Sequence, residues 1–358
     1  MASLSEPNSK EFLLWQAATD GNLEVVRELA RDAAVNVNWI GPEKDDAPLH
    51  RACRFRRLEV FKELMANPRV DVTQVNVFGG TAMTISSFVG DLKMVAQLLA
   101  DPRIDPNRTT SDGASPLLFA AWQGHLEVVS LLLADGRSDP NICMQDGPTP
   151  LGMACQDGRV AVVALLLTDE RVDPNKKSKN DQSSPLWFAS QNGFLHLVQL
   201  MLASERSIDT RIVSKFNGRM ASEQARWAAT QLLWDDFEFD DDGRRRRDCP
   251  LIADLIEAYE GNPLEVRWQL RFSPGIRERY TGHMLAVVVF FSDGYLEIGT
   301  EISSSAKRFF ALCACLPLDL QMVVCNRMFR SGKSVVSSRD SEPGFKWLAR
   351  IHSSARFV

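Results

Sequence analysis

The residues of this chain that could carry out chemistry are scattered rather than grouped. Residues 330–334 read Arg-Ser-Gly-Lys-Ser, which is how a phosphate-binding loop ends, but Arg327 stands where that loop needs its first glycine. One residue separates Cys313 from Cys315, and no second cysteine pair follows at the spacing of a zinc site. No nucleophile, base and orienting group come together in the sequence. We therefore predict a protein that is not an enzyme and needs no cofactor or metal.

One phrase recurs six times along the first two-thirds of the chain. Its register is marked by a leucine or valine at steps of 35, 34, 34, 34 and 35 residues: Leu23, Leu58, Leu92, Leu126, Val160 and Leu195. The phrase is complete in residues 115–141, where Ser-Pro-Leu precedes two alanines, a Gly-x-Leu corner, a Val-Val-x-Leu-Leu-Leu stretch and Asp-Pro-Asn. A period in this range indicates stacked units, none of which can bury its apolar face alone.

Each unit is predicted to contain two antiparallel helices and an extended finger. Ser115 suits the N-cap of the first helix, Pro116 suits its first turn, and Gly124 suits its end. Apolar residues then recur at helical spacing through the second helix, as expected of a face that points to the core. Asp112-Gly113 before the unit is typical of a hairpin turn. We therefore expect helix pairs joined by β-hairpin fingers.

The phrase resembles the ankyrin repeat, Thr-Pro-Leu-His followed by Gly-His-Leu-Glu-Val-Val and Asp-Val-Asn, over roughly residues 11–226. The resemblance implies an all-α fold, an ankyrin-repeat solenoid followed by an α-helical C-terminal cap domain. These units exceed the usual ankyrin length by about one residue, which falls between the second helix and the finger. The motif histidine is kept only as His50, and other residues replace it in later units: Thr84, Leu118, Gly152 and Trp187. Stability in those units is expected to rest more on apolar packing.

The composition divides the chain into three regions. Residues 1–233 form the predicted array of about six to seven repeats, with residues 11–38 as an atypical N-terminal unit. Residues 234–248 hold an acidic run followed by four arginines and are predicted to be a charged loop. Residues 249–358 are predicted to be helical and to begin with a degenerate ankyrin-like helix pair. Within this region, residues 283–295 are compatible with a helix or a buried strand, and we favour the helix.

Two weaker resemblances concern the C-terminal region. Leu-Pro-Leu-Asp-Leu at residues 316–320, followed by Val324 and Phe329, is similar to the opening helix of an F-box, which docks onto the adaptor of a cullin-type ubiquitin ligase. The region as a whole is similar to the tail that follows ankyrin repeats in mushroom proteins. The first resemblance implies an exposed apolar helix face with a partner, whereas a cap helix would bury the same residues against the array. We favour the cap.

The charge and composition of the chain indicate which ligands and which cellular compartment to expect. The formal net charge of −5 and the pI near 5.7 argue against a general nucleic-acid binder. The apolar run at residues 284–291 is too short to cross a bilayer, which needs roughly 20 residues. Residues 1–10 are polar, so we expect no signal peptide. Five cysteines are expected to be buried free thiols: Cys53, Cys143, Cys155, Cys313 and Cys325. We expect a monomer in the cytoplasm, with the nucleus as the alternative because of the four arginines.

The ankyrin resemblance also implies a recognition surface. In that family the residues before each corner glycine and the finger residues line one concave face. The matching positions here form the predicted partner-binding site: Arg54, Phe55, Phe78, Phe88, Val89, Trp122, Gln123, Gln156, Asp157, Gln191 and Asn192. Five of them would make an apolar strip over repeats two to four, and aromatic anchors of this kind dominate interface energetics. The alternative is that Phe88 and Trp122 fold back onto the neighbouring helix as additional core.

The sequence leaves several functions to compare. The favoured one is a protein-interaction scaffold that binds a protein partner on the concave face. The alternative is a substrate-recognition adaptor of a cullin-type ubiquitin ligase that acts through the F-box-like segment. A second possible binding surface is a basic cluster that could dock an acidic or phosphorylated segment, namely Arg51, Arg54, Arg56 and Arg57. A solvated face paired with Glu59 and Glu63 is the more ordinary interpretation of that cluster.

Overall fold

The structure, a computed structural model, describes residues 9–41, 46–204, 206–231 and 244–271. All regular elements in these residues are α-helices, and no strand occurs among them, so the all-α array of helix pairs predicted from the sequence is confirmed. The helices are α1 Lys10–Asp20, α2 Leu23–Arg31, α3 Pro48–Arg54, α4 Leu58–Ala66, α5 Ala82–Val89, α6 Leu92–Ala100, α7 Pro116–Gln123, α8 Leu126–Ala134, α9 Pro150–Gln156, α10 Val160–Leu166, α11 Pro185–Gln191, α12 Leu195–Ala203, α13 Ala221–Gln231, α14 Arg244–Gly261 and α15 Pro263–Arg271.

The chain divides into two compact units, Met1–Met201 with Arg206–Ile256, and Leu202–Glu205 with Glu257–Val358. In the first unit the first helices of successive repeats contact one another in an inner row, from α1 through α3, α5, α7, α9 and α11 to α13. The second helices form an outer row, from α2 through α4, α6 and α8 to α10. Each inner helix therefore meets the inner helix of the next repeat at the same register.

Capping residues fix where each inner helix begins and ends. The Ser115 hydroxyl accepts from the backbone N–H of Leu118 at 3.1 Å, with Pro116 at the first helical position. At the end of α5, Gly90 has φ +78°, and a Cβ there would lie 2.4 Å from Nδ1 of His125 in the next repeat. The corner glycine is therefore required by both backbone conformation and close packing.

The motif histidine and the threonine that first replaces it both accept a hydrogen bond from the backbone N–H of the N-cap residue of their helix. Nδ1 of His50 accepts from the backbone N–H of Ala47 at 3.2 Å, and its Nε2 lies 3.0 Å from the carbonyl oxygen of Gln74. Burial lowers the pKa of His50, which favours the neutral ring. In the next repeat the Thr84 hydroxyl accepts from the backbone N–H of Thr81 at 2.7 Å. A hydroxyl can therefore replace the capping half of the histidine's role.

Leucines of one register form the continuous core between the two rows. Leu64, Leu98, Leu132 and Leu166 follow one another at steps of 34 residues, and each side chain is fully buried. Burial of one such side chain contributes about 2 kcal/mol, so the row as a whole holds the repeats together. The inner helices carry buried alanines at matching positions, such as Ala52, Ala120 and Ala154, which let the helices approach closely.

The fingers are hydrogen-bonded turns rather than β-strands, so the prediction of β-hairpin fingers was wrong in that detail. Within a finger, Asn76 donates its backbone N–H to the carbonyl of Gly80 at 2.9 Å. Between fingers, the backbone N–H of Ser111 donates to Phe78 at 2.8 Å and that of Gln145 donates to Asp112 at 2.7 Å. A single such bond to the next finger is too short a ladder to make a strand.

The C-terminal helices correct the boundary of the predicted charged loop. Helix α14 begins at Arg244, so residues 244–248 are helical and not part of a loop. Arginine has a high helix propensity, and four fully buried residues at helical spacing follow it: Cys249, Ile252, Ala253 and Ile256. Helix α15 then begins at Pro263, with the Asn262 side chain accepting from the backbone N–H of Glu265 at 3.2 Å.

Other sequence-based predictions lie outside the described residues. These are the segment 283–295, the F-box-like segment 316–329, the Gly-Lys-Ser stretch, and the cysteines Cys313 and Cys325. Cys53, Cys143 and Cys155 are buried free thiols, as predicted. Across the described ranges no helix is long and apolar enough to span a membrane, and no group of metal-ligating side chains converges.

Candidate partner-binding surface

The predicted recognition residues lie where the inner helices end. Phe55 is the C-cap of α3, Phe88 and Val89 end α5, and Trp122 lies in the last turn of α7. Because α5 and α7 contact each other, residues of the same register become neighbours. The ring centroids of Phe88 and Trp122 are 6.4 Å apart, in an edge-to-face arrangement.

A third ring completes an aromatic cluster, which consists of Phe88, Phe119 and Trp122. Phe119 meets the edge of Phe88 at 5.7 Å and stacks on Trp122 at 6.3 Å. Offset and edge-to-face pairs at these separations are favourable. Phe88 remains 39% exposed, whereas Phe119 and Trp122 are half-buried against Leu118 and Met153. The aromatic cluster therefore exposes the Phe88 ring to solvent, while the other two rings pack against the core.

The sequence-based site omitted Phe119 and the methionine beside it. Phe119 precedes Trp122 by three residues, so the two share a helix face, and that spacing would have identified it. Met144 comes from the finger before α9 and packs against the same buried residues as Phe119 and Trp122, namely Ala114, Leu118 and Met153. No local spacing links a finger residue to an inner helix of the previous repeat, so only the stacked structure reveals this contact.

Phe55 belongs to a different arrangement from the aromatic cluster. The guanidinium of the buried Arg51 lies 4.6 Å from the Phe55 ring centroid and 4.1 Å from that of Trp15. Nε of Arg51 also donates to the Thr19 hydroxyl at 2.9 Å. These contacts hold the half-open Phe55 ring, which is 41% exposed, against a fixed cation. Its position is thus set by repeat one as well as by repeat two.

The other arginines of the predicted basic cluster also make structural bonds. Arg54 pairs with the fully buried Asp46 at 2.7 Å, and Arg57 donates to the carbonyl of Thr19 at 2.9 Å. Arg56 donates to the carbonyl of Val89. The expected pairing with Glu59 and Glu63 was wrong, because Lys62 pairs with Glu59 and Arg27 pairs with Glu63. Carbonyls at the ends of the inner helices need donors, and the corner arginines supply them.

The remaining predicted residues divide by exposure. Phe78 lies on a finger and is 57% exposed, so it is the most open of the predicted aromatic residues. Gln156 is exposed, and four others are half-buried: Gln123, Asp157, Gln191 and Asn192. The Asn192 amide donates to the carbonyl of Gln156 at 3.0 Å and so caps α9. Only part of this polar group is therefore open to a partner.

Comparison with known proteins agrees with this architecture. The family model described as Ankyrin repeats (3 copies) matches residues 2–76, 49–142 and 117–212, which together cover more than half of the 358-residue chain. No curated protein sequence matches the chain. Among solved structures, the crystal structure of the ankyrin repeat domain of Bcl-3, a unique member of the IkappaB protein family, is similar with a TM-score of 0.51. That likeness covers 58% of this chain and 91% of the other at 24% identity, so it concerns the fold alone.

Proposed function

Since the chain belongs to the ankyrin repeat family, whose repeats form a protein-interaction domain, we propose that it is a scaffold that holds one protein partner. The proposed contact surface is the aromatic strip, defined as Phe55, Phe78, Phe88, Val89 and Trp122. The observation that carries this proposal is the open ring of Phe88 on the packed aromatic cluster. A ring held in place before binding loses little conformational freedom when a partner covers it.

The other predicted site residues are polar and lie outside the aromatic strip. In our proposal Gln123, Gln156, Asp157, Gln191 and Asn192 form the polar continuation of the surface, and Arg54 holds the strip in place through Asp46. We assign no reaction, cofactor or nucleic-acid ligand to the protein. We propose a monomer in the cytoplasm, with the nucleus as the alternative.

Phe88→Ala is the direct test of the strip. Truncating an interface anchor costs about 2 kcal/mol, or roughly 30-fold in affinity, and Phe88 is open enough for the fold to survive. Leu92→Ala is the matched control, because Leu92 is 41% exposed but lies on the outer helix α6. We expect capture of the partner from cell extract to be lost for Phe88→Ala and kept for Leu92→Ala. Equal capture by both variants would refute the strip.

Trp122→Ala gives a less direct result, because Trp122 is half-buried in the cluster with Met153. We expect this variant to lose partner capture and also to melt at a lower temperature. Binding through the strip should persist at high salt, whereas binding through arginines would weaken between low and physiological salt. The same capture experiment tests the adaptor alternative, since ubiquitin-ligase subunits among the captured proteins would favour a role for residues 316–329.

A further inference from the structure

A ladder of arginines caps the outer helices from one repeat to the next. Nη2 of Arg69 donates to the carbonyl of Ala30 in α2 at 2.6 Å. Nη2 of Arg137 donates to the carbonyl of Leu99 in α6 at 2.7 Å, and Nη2 of Arg171 donates to that of Leu133 in α8 at 2.8 Å. These carbonyls occupy one register at the C-terminal ends of their helices, where backbone acceptors lack helical partners and the dipole favours a cation.

Of the four junctions between neighbouring outer helices from α2 to α10, the one between α4 and α6 lacks this bond. Arg103 stands 34 residues from both Arg69 and Arg137, so the register places it there to cap the carbonyl of Met65. Its Nε and Nη2 instead bond only to Asp101, at 3.0 and 2.6 Å. The aspartate does not by itself explain this, because Arg137 bonds to Asp135 and to Leu99 together. Among the described residues, no side chain donates to the Met65 carbonyl.

A second bridge is absent from the same junction. In other repeats an asparagine side chain donates to the backbone of the next repeat, as Asn38 does to Arg69 and Asn107 does to Arg137, both at 2.8 Å. Thr73 takes that position before the α4–α6 junction, and its hydroxyl turns to Asp71 at 2.7 Å. Accordingly, α4 and α6 make the least contact of the neighbouring pairs from α2 to α10.

An open groove of about 600 Å³ lies between the ends of α4 and α6, and both Met65 and Arg103 line it. Its apolar lining comes from Met65, Ala66, Ala100 and Pro102, and Asp101 supplies a carboxylate. Lys62 and Arg103 also line the groove, and each is paired with a carboxylate, Glu59 and Asp101 respectively. Each cation of the lining is therefore ion-paired, and the carbonyl of Met65 at the end of α4 has no side-chain cap among the described residues.

We propose that the α4–α6 groove binds an arginine side chain of a protein partner, whose guanidinium caps the Met65 carbonyl as Arg69 and Arg137 cap theirs. The aliphatic stem of that arginine packs on Met65 and Pro102. Asp101 already accepts from the backbone N–H, Nε and Nη2 of Arg103. A carboxylate offers about four acceptor sites, so about one remains, on Oδ2, for the guest. Arginine suits this site better than lysine because its planar fork reaches the carbonyl and the carboxylate together. This surface lies on the outer row and is independent of the aromatic strip.

The test uses the full chain labelled with ¹³C at its methionine methyl groups, with Met65 assigned from a Met65→Leu variant. The probe is N-acetyl-arginine N-methylamide, and its uncharged isostere N-acetyl-citrulline N-methylamide is the reference. We expect a saturable shift of the Met65 signal with the arginine probe and no shift of the buried Met94. The citrulline probe should bind at least about tenfold more weakly, because it lacks the charge-assisted hydrogen bonds.

Two substitutions at one register make the result specific to this groove. Ala66→Trp should fill the groove and abolish the Met65 response. Ala134→Trp, at the equivalent exposed position of α8, should leave that response unchanged. Phe88→Ala should also leave it unchanged, which separates this inference from the proposed function. An unsaturable Met65 shift, equal affinity for the two probes, or an equal effect of the two tryptophans would overturn the proposal.

Discussion

Arg54→Ala should destabilise the folded chain by about 3 kcal/mol, because it leaves the Asp46 carboxylate buried without its cation. Asp46 is fully buried, whereas the Arg54 side chain is 23% exposed. Arg54 donates to Asp46 at 2.7 and 3.2 Å, and the Asn76 amide donates a third bond at 2.9 Å. Removing one member of a buried pair costs about 3–5 kcal/mol, and the remaining bond from Asn76 places this case at the low end.

The two members of the pair should respond unequally. Asp46→Ala leaves an arginine that can turn toward water, so its cost should be nearer to about 1–2 kcal/mol, from lost hydrogen bonds. The double variant should then resemble Asp46→Ala, so the coupling equals the Arg54→Ala cost of about 3 kcal/mol, at the upper end of the range for residues in one network. A role of Arg54 only in partner binding predicts no such coupling.

Equilibrium urea unfolding of the four proteins, followed by circular dichroism at neutral pH, measures these differences. Arg27→Ala is the matched control, since it breaks the pair with Glu63, in which the Arg27 side chain is 48% exposed. An exposed pair contributes about 0–1 kcal/mol, so this control should unfold almost like the wild type. If Arg54→Ala is no more destabilising than Arg27→Ala, or if the double variant shows the sum of the single costs, the buried-pair argument is refuted.

Four further results are expected. Leu98→Ala should destabilise by about 2–5 kcal/mol in the same urea assay, because Leu98 is fully buried. Gly90→Ala should cost at least about 1–2 kcal/mol, since its φ is +78°, and a neutral effect would contradict that conformation. The Arg137 guanidinium lowers the pKa of Asp135 in the folded protein. The carboxylate's contribution to the free energy of unfolding is therefore present at neutral pH and lost as pH falls below the ordinary carboxyl range. Asp135→Asn should make the free energy of unfolding fall less steeply with decreasing pH in that range. Burial raises the pKa of the Cys53 thiol to about 12, so iodoacetamide should alkylate it in urea far faster than in the native protein, as peptide mass spectrometry can measure.

The sequence predicted the parts of the fold that depend on local spacing. Ser115, Pro116 and Gly124 cap α7 as their order indicated, because capping needs only neighbours within one turn. The helical spacing of apolar residues predicted that one face of each second helix points to the core, and Leu64 and Leu98 are fully buried on that face. The sequence does not predict the helical start of α14, because four adjacent arginines after an acidic run are typical of a loop and the buried face of this helix begins only at Cys249.

The hydrogen-bond partners of surface side chains were less predictable from the sequence, and the arginines show why. Arg54, Arg56 and Arg57 have the composition of a docking site, yet each donates to a group of the array itself. Stacked short helices leave many carbonyls without helical partners, and these acceptors lie within reach of the neighbouring repeat. An arginine near a helix end in such an array is therefore best assigned first to a carbonyl of the adjacent unit. A departure from the repeating bond, as at Arg103, then carries more information about binding than the number of arginines does.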